Sequence, residues 1–266
     1  MTRRVIYLGG NGHCAMRLAG ARAALARLPN DLRFELVDVP YPGFEGRPCS
    51  AEFETFLDSV SSSARDAFIG SERCLVYSTG IGGLLALCLR ARGDLPMKLI
   101  LQGAVLWGLE SRWMPWLMRS RLVRGCFQTL FRAGWFRRRF VRKHFERTMS
   151  DADRNAFFDG YAQCPAATRL FDWIRPDLLR RLEGDFCTRP EAIRNIEAWW
   201  GGRDRVVSLA ELQTTEKALG VRIPVRTFPD WGHYPMIDSP DDWIRKLADA
   251  LETADPIQGS FGPEAR

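Results

Sequence analysis

The sequence predicts an α/β protein with a mostly parallel sheet of about six strands, flanked by helices. Short apolar runs rich in β-branched residues recur along the chain, and helix-forming stretches lie between them. This alternation is typical of β-α-β units, whose strands run parallel. The predicted strands are Val5 to Leu8, Phe34 to Val39, Cys74 to Ser78, Leu99 to Leu101, Ile196 to Trp199 and Val225 to Phe228.

Two of the intervening stretches have clear helical character. Ala15 to Leu28 is rich in Ala, Leu and Arg, which are strong helix formers. Gly83 to Arg92 is mostly apolar, as expected of a helix buried against a sheet.

The alternation stops after the fourth predicted strand and resumes only at the fifth. The intervening residues are mainly helical, and we interpret them as a lid inserted over the sheet. The predicted organisation is a core in two parts, residues 1–106 and 194–254, a helical lid insertion at residues 107–193, and a frayed tail at residues 255–266.

Length and composition are those of one globular domain. A chain of 266 residues with 46% hydrophobic content can bury one sizeable core. Its seven cysteines are scattered without C-x-x-C spacing, so we expect neither a disulfide framework nor a zinc site. We expect no cofactor and no other metal either. The N-terminus lacks the features of a signal peptide, and no apolar run approaches the roughly 18 residues of a membrane span. We therefore expect a cytoplasmic protein.

The net charge of +6 is concentrated in the predicted lid. Eleven Arg or Lys residues and one acid lie between residues 112 and 147, interleaved with Trp, Phe, Leu and Met. Three interpretations stay open: a solvated basic face, a dock for an anionic substrate or acidic carrier protein, and contact with a membrane surface. Nucleic acid is disfavoured because no groove-reading motif accompanies the charge. His144 lies in this basic run and is predicted to be solvated.

Four motifs follow the predicted strands. A glycine-rich turn (LGGNGH, residues 8–13) follows the first, and DVPYPGF (residues 38–44) follows the second. After the third comes a sharp turn of small residues and an apolar helix (LVYSTGIGGLLAL, residues 75–87). The fourth motif is a pair, WGGRDRVV (residues 200–207) and WGHYPM (residues 231–236), after the last two strands. In this order and spacing the motifs resemble those of the α/β-hydrolase superfamily over most of the chain outside the lid.

The resemblance implies a nucleophile elbow in the third motif. That motif usually reads G-x-S-x-G-G, and aligning its paired glycines with Gly82 and Gly83 puts Gly80 where the serine belongs. A rival register makes Ser78 the nucleophile, but it puts Val76 where the tight turn needs a small residue. We favour the Gly80 register.

The resemblance also implies an Asp-His dyad and an oxyanion hole. Asp204 would fix the tautomer of His233 and leave the second imidazole nitrogen as a base. The backbone N–H groups of Asn11 and Ile81 would hold a developing oxyanion. The predicted substrate-binding residues are Gly10, His13, Tyr234 and the lid aromatics Trp113, Trp116 and Phe127.

Without a side chain at Gly80, an acyl-enzyme cannot form there by the usual route. Three functions stay open. His233 can act directly as a general base on a water or substrate proton of an ester, thioester or other carbonyl compound, for hydrolysis, elimination, cyclisation or acyl transfer. Alternatively, the protein is a serine esterase or thioesterase whose nucleophile was replaced by Gly80, or a non-catalytic binding protein.

Overall fold

The computed structural model describes residues 2–111, 116–118, 120–145, 149–162, 164 and 166–256. Within these residues a six-stranded sheet runs parallel throughout in the order β2-β1-β3-β4-β5-β6. All six predicted strands are confirmed. They are β1 (Arg3–Leu8), β2 (Glu35–Asp38), β3 (Arg73–Thr79), β4 (Lys98–Gln102), β5 (Ile196–Gly201) and β6 (Val225–Phe228).

Helices flank the sheet. The described α-helices are α1 (Ala19–Ala26), α2 (Phe53–Phe68), α3 (Ile81–Arg92), α4 (Arg121–Leu130), α5 (Gly134–His144), α6 (Asp151–Ala162), α7 (Ala166–Trp173), α8 (Pro176–Thr188), α9 (Leu209–Leu219), α10 (Pro235–Asp238) and α11 (Pro240–Glu252). Short 3₁₀ turns lie at Ala15–Leu18, Asn30–Leu32, Trp107–Ser111 and Pro190–Ile193. The predicted helix over residues 15–28 is thus a 3₁₀ turn followed by α1.

The strands near the centre of the sheet are deeply buried. β3 is buried from Cys74 to Thr79, and β1 is buried from Val5 to Leu8. Strands covered on both faces by helices need such continuous apolar runs, because neither face contacts water. Helix α3 is buried from Ile81 to Ala91, which accounts for its apolar composition. It begins two residues before the predicted start, directly after Gly80.

The described chain between β4 and β5 is mainly helical, from α4 to α8. We call residues 107–193 the helical insertion; that it acts as a lid stays a prediction. Most of the predicted tail, residues 257–266, lies outside the described residues. No described helix is both long and apolar enough to span a bilayer.

The register of the strands gathers the loops that carry the motifs. Leu8 pairs with Ser78, so the glycine-rich turn after β1 lies beside the turn after β3. Thr79 pairs with Gln102, and Gln102 pairs with Trp199, which aligns the ends of β3, β4 and β5. Ligands of open α/β sheets bind at the carboxyl ends of the strands, so this edge is where a site is expected.

Candidate active site

Asp204 and His233 are hydrogen-bonded. Asp204 lies in the turn after β5 and His233 in the loop after β6, and Nδ1 of His233 is 2.9 Å from Oδ2 of Asp204. Because a carboxylate accepts, Nδ1 carries the proton and Nε2 is left as the basic nitrogen. The carboxylate is fully buried, and the imidazole is 8% exposed. The predicted spacing of the two loops therefore brings these side chains together.

Asp204 is held on its second oxygen as well. Oδ1 accepts from the backbone N–H of Val206 at 2.8 Å and of Val207 at 3.0 Å. Burial by itself raises the pKa of this carboxyl, but the nearby His233, its hydrogen bond and the two backbone donors outweigh burial and lower the pKa below its ordinary value. Asp204 is thus an anion at neutral pH with a fixed orientation.

Gly103, the residue after β4, leaves room for the hydrogen bond between Asp204 and His233. Its φ is +48°, and a Cβ at this position would lie 2.8 Å from Oδ2 of Asp204 and 3.2 Å from Nδ1 of His233. Any side chain would enter the space of the hydrogen bond between them. Sequence reasoning missed Gly103, although a glycine directly after a central strand is a signal of close approach.

The strand-to-helix turn at Gly80 has the backbone geometry of a sharp elbow. Its φ is 53° and its ψ is −123°, a region that favours glycine. The Gly80 carbonyl accepts from the backbone N–H of Gly83 and Val105, which fixes the turn on both sides. A Cβ on Gly80 would meet a single described atom within 4 Å, the Cα of Gly10 at 3.8 Å. The turn therefore leaves the space of a small side chain open.

Ser78 lies two residues earlier and is fully buried in β3. Its Oγ donates to the Ile100 carbonyl at 3.1 Å. A hydroxyl in this position is bonded locally within the sheet, which argues against the rival register with Ser78 as nucleophile.

The two predicted oxyanion donors lie in the turns after β1 and β3, and their role in holding an oxyanion stays a prediction. Ile81 is the first residue of α3, where backbone N–H groups lack an intrahelical acceptor. Asn11 lies in the turn after β1. Within the described chain neither N–H donates to a protein acceptor. Gly10 lies against the elbow, since a Cβ there would be 3.1 Å from the Thr79 carbonyl oxygen.

Arg17 supports this turn and was missed by sequence reasoning. It is 1% exposed, its guanidinium donates to the Asn11 carbonyl at 3.1 Å, and the guanidinium carbon lies 4.3 Å from the ring centroid of Phe157. Arginine is seldom fully buried, so composition alone places such a residue on the surface. Its hydrogen bond positions the backbone of the predicted oxyanion turn.

The structure places two predicted substrate-binding residues within the protein's own packing. His13 is buried, with Nε2 at 2.8 Å from both carboxylate oxygens of Asp38. The ring of Tyr234 lies edge-on to His233 at 4.6 Å between centroids and stacks on Phe145 at 5.0 Å. Substrate contact by either residue stays a prediction.

That the aromatic residues of the lid line the pocket stays a prediction. Trp113 lies outside the described residues. Trp116 is 67% exposed, and Phe127 packs on Phe131 at 6.4 Å between ring centroids. In their place α5 brings His144, whose ring centroid is 6.5 Å from that of His233. The prediction that His144 is simply solvated is therefore wrong: its side chain is half-buried beside the dyad.

The parallel sheet, the elbow before α3, and an acid and a histidine after the last two strands define the α/β-hydrolase fold. A family model described as "Alpha/beta hydrolase family" matches residues 5–246, and the chain belongs to this family. Family membership confirms the prediction of an α/β-hydrolase-fold enzyme. A sequence search of curated proteins found no significant match.

Solved structures with this fold include three hydrolytic enzymes. A loop variant of a haloalkane dehalogenase from Bradyrhizobium elkanii has a TM-score of 0.65 at 17% identity, covering 94% of this chain and 89% of that one. A variant of an epoxide hydrolase from Bacillus megaterium has a TM-score of 0.63 at 15% identity, covering 95% and 94%. A bacterial membrane phospholipase A has a TM-score of 0.64 at 19% identity, covering 95% and 80%. At these identities the likeness shows the fold alone.

Proposed function

We propose that this protein hydrolyses ester or thioester bonds of small molecules by direct general-base catalysis, without a covalent acyl-enzyme. The observation that carries the proposal is a complete Asp204–His233 hydrogen bond at the same edge of the sheet as an elbow that has no side chain. A base held in one tautomer by a buried carboxylate is what abstraction of a proton from water requires. The open space above Gly80 is where that water would lie.

The chemistry follows from these groups. His233 Nε2 takes a proton from water as the water oxygen bonds to the carbonyl carbon, and the carbonyl electron pair moves to oxygen. The N–H groups of Asn11 and Ile81 hold this oxyanion. Collapse of the tetrahedral intermediate breaks the bond to the leaving group, which takes the proton from His233 Nε2 and departs as an alcohol or thiol. The other products are the carboxylate and a proton released to solvent.

The substrate class follows from the helical insertion. Its helices combine aromatic side chains with exposed arginines, such as Arg138, Arg139 and Arg142 on α5. We therefore propose a substrate of mixed apolar and anionic character, free or attached to an acidic carrier. Arg137 does not belong to this exposed set, because its guanidinium binds Asp159 at 2.9 Å and the Phe131 carbonyl at 2.6 Å.

The two alternative functions give the space at residue 80 different meanings. In a serine esterase or thioesterase whose nucleophile was replaced, the space that a Cβ would occupy is the space of the lost serine. In a binding protein without turnover, the pre-oriented base has no task. Space for a Cβ is open at residue 80, although the positive φ strains any side chain there, so a single substitution tests the first alternative.

The test compares the native chain with Gly80→Ser and His233→Ala on a panel of 4-nitrophenyl esters and acyl thioesters. If His233 is the base, His233→Ala should lower turnover by about 100- to 10,000-fold. Gly80→Ser should be neutral or harmful, because the hydroxyl takes the place of the attacking water.

The alternatives give opposite results. A replaced nucleophile predicts that Gly80→Ser switches on hydrolysis, with a burst and an ester on residue 80 detectable by mass spectrometry. A binding protein predicts that the native chain and His233→Ala are equally inactive on every substrate while binding one of them tightly. Either result would overturn direct general-base catalysis.

A further inference from the structure

Arg17 is a buried cation attached to the turn after β1. It is 1% exposed, and Nη1 of its guanidinium donates to the Asn11 carbonyl at 3.1 Å. The two other nitrogens, Nε and Nη2, are buried without a hydrogen-bond partner in the described chain. A guanidinium is not deprotonated in proteins. The glycine-rich turn therefore has a permanent positive charge bound to its backbone.

This charge is not neutralised by a carboxylate of the described chain. Among the residues that the structure describes, no Asp or Glu forms an ion pair with Arg17. Asp38, the acid at the end of β2, is bound by His13, with Nε2 at 2.8 Å from both carboxylate oxygens. Because buried charges in proteins are normally paired, an unpaired one indicates that its counter-charge comes from a ligand.

Aromatic rings surround the guanidinium and exclude water from it. The guanidinium carbon lies 4.3 Å from the ring centroid of Phe157 and 5.0 Å from that of Tyr161, both on α6. It lies 5.5 Å from the ring centroid of Tyr234, and this ring is in turn 4.6 Å from that of His233. Rings attract a cation but leave its net charge in place. The charge of Arg17 is therefore poorly screened and lies within one ring of the dyad.

Three consecutive peptide groups of the turn are each held at the carbonyl. The carbonyls of Gly9, Gly10 and Asn11 accept, in that order, from the Tyr41 hydroxyl, the His13 N–H and Arg17, each at 3.1 Å. In a trans peptide the N–H points opposite to the carbonyl, so the N–H groups of residues 10–12 point away from these donors. In the described chain none of the three has a protein acceptor. They are fixed donors that await one.

We propose that Arg17 is a positioning residue that makes the turn at residues 10–12 a binding site for a tetrahedral anion. In hydrolysis this anion is the oxyanion of the tetrahedral intermediate, which supplies the missing counter-charge. The N–H groups of the turn contact the anion, and Arg17 acts through the Asn11 peptide and through its charge. The identity of the anion rests on the proposed ester or thioester hydrolysis.

The buried charge should act on the intermediate and not on the substrate. A neutral ester gains little from a nearby cation, whereas an oxyanion gains the full Coulombic attraction. Two opposite unit charges roughly 6–10 Å apart, at an effective dielectric constant of about 20, favour the anion by about 15- to 100-fold. An interaction that appears only with the developing charge raises kcat and leaves KM nearly unchanged.

Two ligands of similar shape and different charge provide the test. Ethyl propylphosphonate is a tetrahedral monoanion that mimics the intermediate of ethyl butyrate hydrolysis, and its diethyl ester is tetrahedral and neutral. Calorimetry should show that the native chain binds the monoanion about 15- to 100-fold more tightly than the diester. Arg17→Met should lose this preference with less than about a threefold change in the Kd of the diester, whereas Arg17→Lys should keep most of it.

Two further variants separate charge from structure. Arg17→Gln removes the charge but keeps a donor for the Asn11 carbonyl, so it should lose the preference as Arg17→Met does, and it replaces that variant if the latter does not fold. The matched control is Arg90→Met, which removes a buried arginine at the end of α3 remote from Gly80. The carbonyls that Arg90 binds belong to Leu95, Met97, Ala192 and Arg194. Arg90→Met should lower stability to urea and leave both Kd values unchanged.

The proposal is overturned if the native chain binds both ligands equally. It is also overturned if the neutral variants at Arg17 keep the preference, if Arg17→Lys loses as much of it as they do, or if Arg90→Met loses it too.

Turnover separates this inference from the proposed function. Arg17→Met should lower kcat for ethyl butyrate by about 15- to 100-fold and change KM by less than about threefold. If hydrolysis depends on His233 but the charge preference does not depend on Arg17, general-base hydrolysis stands and the role of Arg17 is wrong. If the native chain hydrolyses nothing yet prefers the monoanion through Arg17, the anion site stands and the proposed hydrolysis is wrong.

Discussion

The substitution Gly103→Ala tests whether the dyad depends on a glycine beneath it. Gly103 has φ +48°, and a Cβ there would lie 2.8 Å from Oδ2 of Asp204 and 3.2 Å from Nδ1 of His233. Real Cβ atoms essentially never approach a neighbour as closely as 2.8 Å. Neither side chain can yield without breaking a bond, because Asp204 is also held by two backbone donors. The methyl group should therefore separate the carboxylate from the imidazole.

The expected loss of unfolding free energy in Gly103→Ala has two contributions. Placing an L side chain at positive φ costs about 1–2 kcal/mol. Overpacking a buried site costs a further 1–3 kcal/mol, roughly, so we expect Gly103→Ala to lower the free energy of unfolding by about 2–5 kcal/mol. Loss of the oriented base should lower kcat/KM by about 100-fold or more.

Gly220 provides the matched control for backbone strain. Its φ is +64°, and a Cβ there would meet nothing within 4 Å. Gly220→Ala should lose only the strain contribution, about 1–2 kcal/mol, and should keep full activity. Urea unfolding and ester hydrolysis of both variants are the measurements. Equal losses of stability and equal activity in the two variants would refute the reasoning that Gly103 supports the dyad.

Two further predictions concern charged groups. The pKa of Asp204 is lowered in the folded protein. Its ionised form therefore stabilises the fold at pH values above 3.8, the ordinary pKa of an aspartate side chain. This stabilisation is lost as the pH falls below that value. The unfolding free energies of the native chain and Asp204→Asn should therefore differ at neutral pH and converge only as the pH falls below 3.8; a difference independent of pH contradicts this. Arg137→Glu should lower the free energy of unfolding by about 2–3 kcal/mol, because it removes bonds to Asp159 and the Phe131 carbonyl and adds a like charge. Urea unfolding checks it, with the exposed Arg138→Glu as control, and equal losses in the two variants would refute it.

The sheet could be predicted because its signal is local. Each central strand is a continuous apolar run. The loops after the last two strands carry the motif residues Asp204 and His233. Parallel strands place the loops after β5 and β6 at the same edge, so topology alone brings these two residues together. The order of the motifs along the chain therefore predicted that Asp204 and His233 lie close together. The structure adds the distance of 2.9 Å between Nδ1 of His233 and Oδ2 of Asp204.

The parts that escaped prediction depend on tertiary contacts. His144 stands in a run of basic residues that resembles a solvated face, and only the course of α5 brings its ring to His233. Arg17 lies in a helix-forming stretch, and its burial among aromatic rings of α6 has no counterpart in local composition. The role of Gly103 is defined by atoms about 100 and 130 residues further along the chain. Periodicity and composition report on neighbours in sequence, and none of these contacts is between such neighbours.

The geometry at Gly80 bears most directly on the choice between functions. The sharp turn with φ 53° is present although the residue has no side chain to present to a substrate. This turn starts α3 at Ile81, whose N–H has no protein acceptor in the described chain. In the proposed mechanism, a glycine elbow can still provide the Ile81 N–H as an oxyanion donor, and the hydrogen-bonded Asp204–His233 pair provides an oriented base. Direct general-base catalysis would use both groups and the open space at Gly80, whereas a binding protein without turnover would need neither.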